Sequence, residues 1–411
     1  MATERMKTFT FFILGVAYAA AQTGCAPNSQ EDRSYRKVVA ALDAFAINLY
    51  QEVRSEEAGN VVVSPLSAAV VLALTWIGAN GRTAQQLGDV LHLPLSRMIV
   101  AEGFRLVMDT LPTSNNQSDG EALLQLANRI YIQNGFDINQ TFSEVAVEDF
   151  RSGVEALNFA ESENARNLIN QWLANNTNDK ILDAIPPGVI TAATRLILVN
   201  TVLFSAMWLH QFPKSATTNE TFHLSETEQD NVSMMHGSFM LEYSNLPEFN
   251  AKAVKLPYRS ADSESYMLIL LPNSVEGLET LERNLGQLYM PSLQFAPRQV
   301  KVHLPCFSIE KRIPIDKLVQ QLGITTLFGA QADLSGISYA SLSVSNVMQK
   351  AYIRVDENGT EAAAATVLIA GVTSVVINDP PIEFKADHPF LYLLMVDYNI
   401  IFMGRVVNPN E

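Results

Sequence analysis

Six histidines, His92, His210, His223, His236, His303 and His388, are the side chains of this 411-residue chain best suited to moving protons near neutral pH or holding a metal. None forms a metal-ligand pair at helical or hairpin spacing with another histidine or with a cysteine, so the spacing predicts no metal site and no cofactor. Gly-x-Ser-x-Gly, Gly-x-x-x-x-Gly-Lys and Gly-x-Gly-x-x-Gly are all missing. His388, before Pro389 and Phe390, reads as a packed turn residue rather than a proton carrier. With 43 acidic against 28 basic residues and a net charge of −15, the many Asp and Glu pairs read as solvated faces. No nucleophile has an evident base, so the chain is not expected to be an enzyme.

The segment that does ask for a function is ENGTEAAAATVLIAGVTSVVIN, from Glu357 to Asn378. Its first half is small and alanine-rich, while its second half is rich in Val, Ile and Thr, which suit a strand. By periodicity alone its alanines fit a surface helix as well as a strand.

The elements around it follow from pattern. YRKVVAALDAFAINLYQEV places Val38, Leu42, Phe45 and Leu49 at helical spacing. NVVVSPLSAAVVLALTWIGAN reads as a short strand, a Ser-Pro break and a helix apolar enough to be buried. Helical patterns dominate the first half of the chain. Strand-like runs such as LILVNTVLFSAMW, AKAVKLPY, SYMLILLPN and VKVHLPCF dominate the second, so the fold class is α+β with large, mainly antiparallel sheets. No linker or repeat divides the chain, and one domain over 35–411 is expected.

Arg5 and Lys7 followed by FTFFILGVAYAAA predict a signal peptide over residues 1–21, a disordered tail over 22–34, and a secreted, extracellular protein. Six sequons fit that location: Asn116, Asn139, Asn175, Asn219, Asn231 and Asn358. The acidic balance, without a basic cluster, predicts no nucleic-acid, membrane or glycosaminoglycan partner. The two cysteines, Cys25 and Cys306, are not expected to be needed as a disulfide in a core of this size.

NVVVSPLSAA with GANGRTAQQL, LILVNTVLFSAMWLHQF, FGAQADLSGIS, LSVSNVMQKAYIRVDENGTEAAAAT and FKADHPFLYLLMVDYNIIFMGRVVNP, in that order from Tyr35 to Pro409, resemble the serpins, the serine protease inhibitor family. The texture is similar to that of secreted arthropod members. The resemblance implies three β-sheets, eight or nine helices and an exposed reactive-centre loop, here about 357–381. It also implies a suicide-substrate inhibitor: a serine protease cleaves the loop, whose first half then inserts into the main sheet. A monomer is expected, and the alternative within the family is a non-inhibitory carrier, storage protein or chaperone.

The residues suit that mechanism. The hinge comprises Glu357, Gly359, Thr360, Glu361, Ala362, Ala363, Ala364, Ala365 and Thr366. Thr360, Ala362, Ala364 and Thr366 share one strand face and carry no charge, so that face can enter a packed core, while Glu361 falls on the other face. Counting fourteen residues from Gly359, as the family does, puts the reactive bond between Thr373 and Ser374, with Val372–Thr373 as runner-up. No Arg or Lys lies between Val355 and Phe384, so an elastase-like protease is favoured over a chymotrypsin-like one, and a trypsin-like target is disfavoured.

Further positions are carried over from the resemblance. Ser64, Ser67, Asn200 and Gln349 match the shutter beneath the main sheet, with Gln349 where relatives often have a titrating His. Trp208 matches the aromatic residue at which the loop enters. Glu357 matches a hinge-base glutamate that in some relatives pairs with a Lys, but Cys306 occupies that Lys position here.

Overall fold

A computed structural model describes residues 30–112, 120–261, 263–288, 293–360 and 380–411. The first third of the chain is mostly helical: α1 (Gln30–Glu56), β1 (Val61–Val63), α2 (Pro65–Gly78), α3 (Gly81–Val90) and α4 (Arg97–Thr110). Next come β2 (Leu123–Gln133), α5 (Gln140–Glu148), β3 (Gly153–Leu157) and α6 (Ser162–Asn176). Strands then take over with β4 (Leu196–Met207), β5 (Thr218–His223), β6 (Gln229–Leu246), β7 (Ala251–Pro257) and β8 (Ser265–Pro272). After α7 (Leu278–Arg283) follow β9 (Ala296–Pro305), β10 (Phe307–Ile313), α8 (Ile315–Leu322) and β11 (Val344–Val355). The last strands are β12 (Gly359–Thr360), β13 (Ile382–Lys385), β14 (Phe390–Val396) and β15 (Asn399–Val406).

In α1, Val38, Leu42, Phe45 and Leu49 are all buried, as their spacing predicts. The helix begins at Gln30, inside the stretch expected as a disordered tail over 22–34. It starts early because Ser34 is already buried and its hydroxyl donates to Glu102 Oε2 of α4 at 2.7 Å. Ser64 caps α2, accepting from Ser67 N–H at 3.4 Å, and Pro65 fills the first turn, where its missing N–H costs nothing. Nearly every residue of α2 is buried, so this helix is the spine of the core. Among the described residues no helix is long and apolar enough to cross a membrane.

Hydrogen bonding gives a six-stranded sheet, β10–β11–β12–β4–β2–β3, and a nine-stranded one, β1–β15–β14–β8–β7–β6–β9–β13 with β5 on β6. The three expected sheets thus appear as two continuous ladders. The 18-residue β6 runs through two of them, pairing with β5 along its first part, with β9 from Met234 to Tyr243 and with β7 at its end. A second apolar cluster, including Tyr131, Phe159, Ile169, Leu173, Ile197 and Val199, packs α6 and the chain after it onto the six-stranded sheet.

One buried ion cluster pins α1 to the sheet end. Glu282 is 1% exposed, accepts from Tyr50 Oη at 2.5 Å, and pairs with Arg405 Nη1 at 3.1 Å. Arg405 also donates through Nε to Gly59 O at 3.0 Å.

Candidate functional site: the hinge and the amide row beneath it

β4 and β11 lie side by side as parallel neighbours from Leu196–Val344 to Val202–Ala351. Above that level they part, and β12 stands between them, antiparallel to both. Thr360 pairs with Val355 on one side and Ala206 on the other, and Gly359 pairs with Met207. Gly359 and Thr360, near the start of the loop, are therefore already strand residues of the six-stranded sheet.

The turn that allows this is built by Asp356-Glu357-Asn358-Gly359. Asp356 N–H donates to Gly359 O at 3.0 Å, Gly359 N–H returns to Asp356 O at 3.2 Å, and Asn358 N–H bonds Asp356 Oδ1 at 2.8 Å. An Asp side chain that bonds the backbone two residues on stabilises such a turn. Gly359 is needed for close approach: a Cβ there would sit 2.0 Å from Ala206 O and 2.7 Å from Met207 Cα.

Trp208 holds the turn from two directions. Its backbone N–H donates to Asn358 O at 2.8 Å and its indole N–H to Asp356 O at 2.9 Å. The ring is 1% exposed and stacks on Tyr258 at 4.4 Å and 9°. Phe212 N–H donates to Glu357 O at 3.1 Å, and Thr217 Oγ1 donates to the Glu357 carboxylate at 2.7 Å. Among the described residues Glu357 has a hydroxyl partner rather than a lysine. Cys306 is a free, half-buried thiol pushed up to about 12 by its burial and then by the charges of Glu357 and Asp356.

Below the hinge an amide row crosses the sheet at one register level. Gln349 on β11 is opposite Asn200 on β4, which is opposite Asn128 on β2. Gln349 Nε2 donates to Ser64 O at 2.8 Å and to Asn200 Oδ1 at 3.0 Å, and Gln349 Oε1 accepts from Ser64 N–H at 2.8 Å. Asn200 Nδ2 donates to Ser67 O and, at 2.8 Å, to Asn128 Oδ1. All five residues are buried, and both N–H donors of Gln349 and of Asn200 are used. The side chain of Ser67 adds nothing to the row, since its buried Oγ has no partner among the described residues. Any strand entering between β4 and β11 must break the Gln349–Asn200 bond.

Of the positions singled out in the sequence, Ser64, Ser67, Asn200 and Gln349 come together beneath the sheet, and Trp208, Glu357, Gly359 and Thr360 at its top. Glu361, Ala362, Ala363, Ala364, Ala365, Thr366, Val372, Thr373, Ser374 and the sequon at Asn116 lie outside the described residues, as do residues 1–29. Asn175, Asn219 and Asn231 are exposed; Asn139 caps α5, accepting from Thr141 N–H at 3.0 Å. Asn358 is part of the hinge turn. His388 is buried in a turn, its ring nitrogens 2.9 Å from Asp387 Oδ1 and 2.9 Å from Pro272 O. Asn128 was missed, since a lone Asn in a strand carries no signal until the register is known.

One grouping of possible metal ligands lies outside what sequence spacing addresses. Glu220, His236 and His303 bring ligand atoms within 4.8 Å of one another, through strand register rather than sequence spacing. Signals of that kind are invisible before the strands are paired.

A family model described as Serpin (serine protease inhibitor) matches residues 40–409. The chain belongs to the serpin family. It is 33% identical over 380 residues to an uncharacterized serpin-like protein of Methanosarcina acetivorans, covering 90% of this chain and 88% of that one. It is 32% identical over 384 residues to the leukocyte elastase inhibitor of Sus scrofa, covering 90% of this chain and 99% of the relative. The solved structure of Serpin48, a highly specific serpin in the insect Tenebrio molitor, superposes with a TM-score of 0.81 at 33% identity, over 91% of this serpin and 98% of that chain. The expected α+β serpin fold is thereby established.

Proposed function

We propose that this serpin is a secreted, monomeric inhibitor of elastase-like serine proteases that traps its target as a suicide substrate. The observation that carries the reading is β12, a strand already started between β4 and β11 by the residues that lead into the loop. A protease serine would attack the Thr373 carbonyl, release the Ser374 amine and leave the loop's first half tethered as an acyl-enzyme. That half continues directly from Thr360, whose side chain is 1% exposed. Ala362, Ala364 and Thr366 repeat the uncharged inward positions. Inserting them completes on the order of ten backbone hydrogen bonds at about 1 kcal/mol each, enough to make the step strongly downhill. The similarity to a leukocyte elastase inhibitor supports the target class, as does a loop without Arg or Lys.

The test is incubation of the full-length protein with pancreatic elastase and with trypsin, followed by denaturing gels and mass spectrometry of the released fragment. An SDS-stable complex with elastase and a fragment beginning at Ser374 are expected; a fragment beginning at Thr373 would select the runner-up bond. Thr360→Arg, which puts a charge on the inward face, should turn the inhibitor into a substrate. Cleavage by elastase with no complex in the wild-type protein would overturn the inhibitory reading in favour of a carrier, storage or chaperone role. A complex with trypsin alone would overturn the specificity.

A further inference from the structure

β5, β6 and β9 lie in register such that one side chain from each meets at a single point. His236 of β6 pairs directly with His303 of β9 across the ladder, their rings 4.4 Å apart and 70° to one another. From the other side of β6, the Glu220 carboxylate of β5 reaches His236 Nε2 at 2.7 Å, with Thr218 Oγ1 3.0 Å from the same nitrogen. Thr218 Oγ1 also donates to Glu220 Oε1 at 3.0 Å. His303 Nδ1 is closed off from solvent and has no hydrogen-bond partner among the described residues.

Neutral imidazole is the form that ligates metal. Two histidines and one carboxylate, with a fourth position for water, form a donor set that Zn²⁺ accepts. His303 also pairs with Lys385 of β13, the strand by which the chain re-enters the sheet after the loop.

We propose that Glu220, His236 and His303 bind one divalent transition-metal ion, Zn²⁺ by donor type, and that the ion clamps β5, β6 and β9 beside the strand anchoring the far end of the reactive loop. The ion adds a bridge between three strands otherwise joined by backbone ladders, packing and side-chain hydrogen bonds such as Gln299 Nε2 to Ser238 Oγ, so it stiffens that anchor without touching the hinge. The site needs no protease for its detection.

The experiment titrates Zn²⁺ into chelator-stripped full-length protein by calorimetry and repeats the titration with Co²⁺, whose visible bands report four-coordinate geometry. One ion per chain is expected, with intense Co²⁺ bands and a melting temperature that rises with free Zn²⁺. His236→Ala and His303→Ala should each weaken binding at least about tenfold and abolish the bands. Glu220→Gln, which keeps side-chain shape, should weaken binding with the melting temperature in EDTA unchanged, separating lost ligation from lost folding. Equal Zn²⁺ stoichiometry and affinity in the wild type and in the double variant His236→Ala/His303→Ala would overturn the proposal, as would a wild-type protein that binds no Zn²⁺.

Discussion

The hydroxyls of Tyr258 and Thr360 lie 2.5 Å apart in a buried hydrogen bond, so the residue following the hinge glycine is tied to the chain that follows β7. Burial pushes the Tyr258 phenol far above its usual pKa, and it stays protonated at any physiological pH. Tyr258→Phe leaves Thr360 Oγ1 buried without its partner, a loss of about 1–3 kcal/mol. The uncleaved protein should melt a few degrees lower by calorimetry at a fixed scan rate. An unchanged midpoint would show that the bond holds nothing.

Gln349, an amide, brings no titrating group to the row beneath the sheet. Gln349→His puts an imidazole at a fully buried position, where desolvation lowers its pKa below the unfolded value of about 6.5. The unfolded chain then binds the proton first, so the variant loses stability relative to wild type as pH falls through about 6.5, by about 1.4 kcal/mol per unit of depression. The check is the difference in melting temperature between variant and wild type from pH 8 to pH 5. A difference constant with pH would contradict the assignment.

The Cys306 thiol, held near 12 by burial and by Glu357 and Asp356, should be almost inert in the native protein. At pH 8 its thiolate fraction is about a thousandfold smaller than that of a free cysteine, and iodoacetamide should modify it only after unfolding. Mass spectrometry of the peptide carrying Cys306 distinguishes it from Cys25. Glu357→Gln removes one of the raising charges and should speed the native reaction. Rapid native labelling in the parent protein would refute the environment described.

Glu282→Ala leaves the buried guanidinium of Arg405 without its carboxylate. The expected loss is about 3–5 kcal/mol, read in denaturant unfolding. Replacing both residues with Met should cost far less, since no buried charge is then stranded.

The amphipathic spacing of α1 and the all-apolar α2 were legible because helical period and burial are local properties of sequence. The hinge was legible in composition, but only the resemblance to serpins decided between helix and inserting strand, since alanine suits both. Ser64, Asn200 and Gln349 were likewise found through that resemblance. Asn128 and the Glu220–His236–His303 group were not legible, because each depends on which strand residues face one another across a ladder. That α1 reaches back to Gln30 was not legible for a similar reason: the Ser34 hydroxyl donates to Glu102, a residue far along the chain.

On the inhibitory reading proposed above, β12 changes what limits the speed of loop insertion. Starting a strand between two paired neighbours is ordinarily the costly event, and here Gly359 and Thr360 have completed it before any protease arrives. On that reading, what remains is a zipper running downward from Thr360, through the Ala351–Val202 and Lys350–Thr201 pairs, to the Gln349–Asn200 contact.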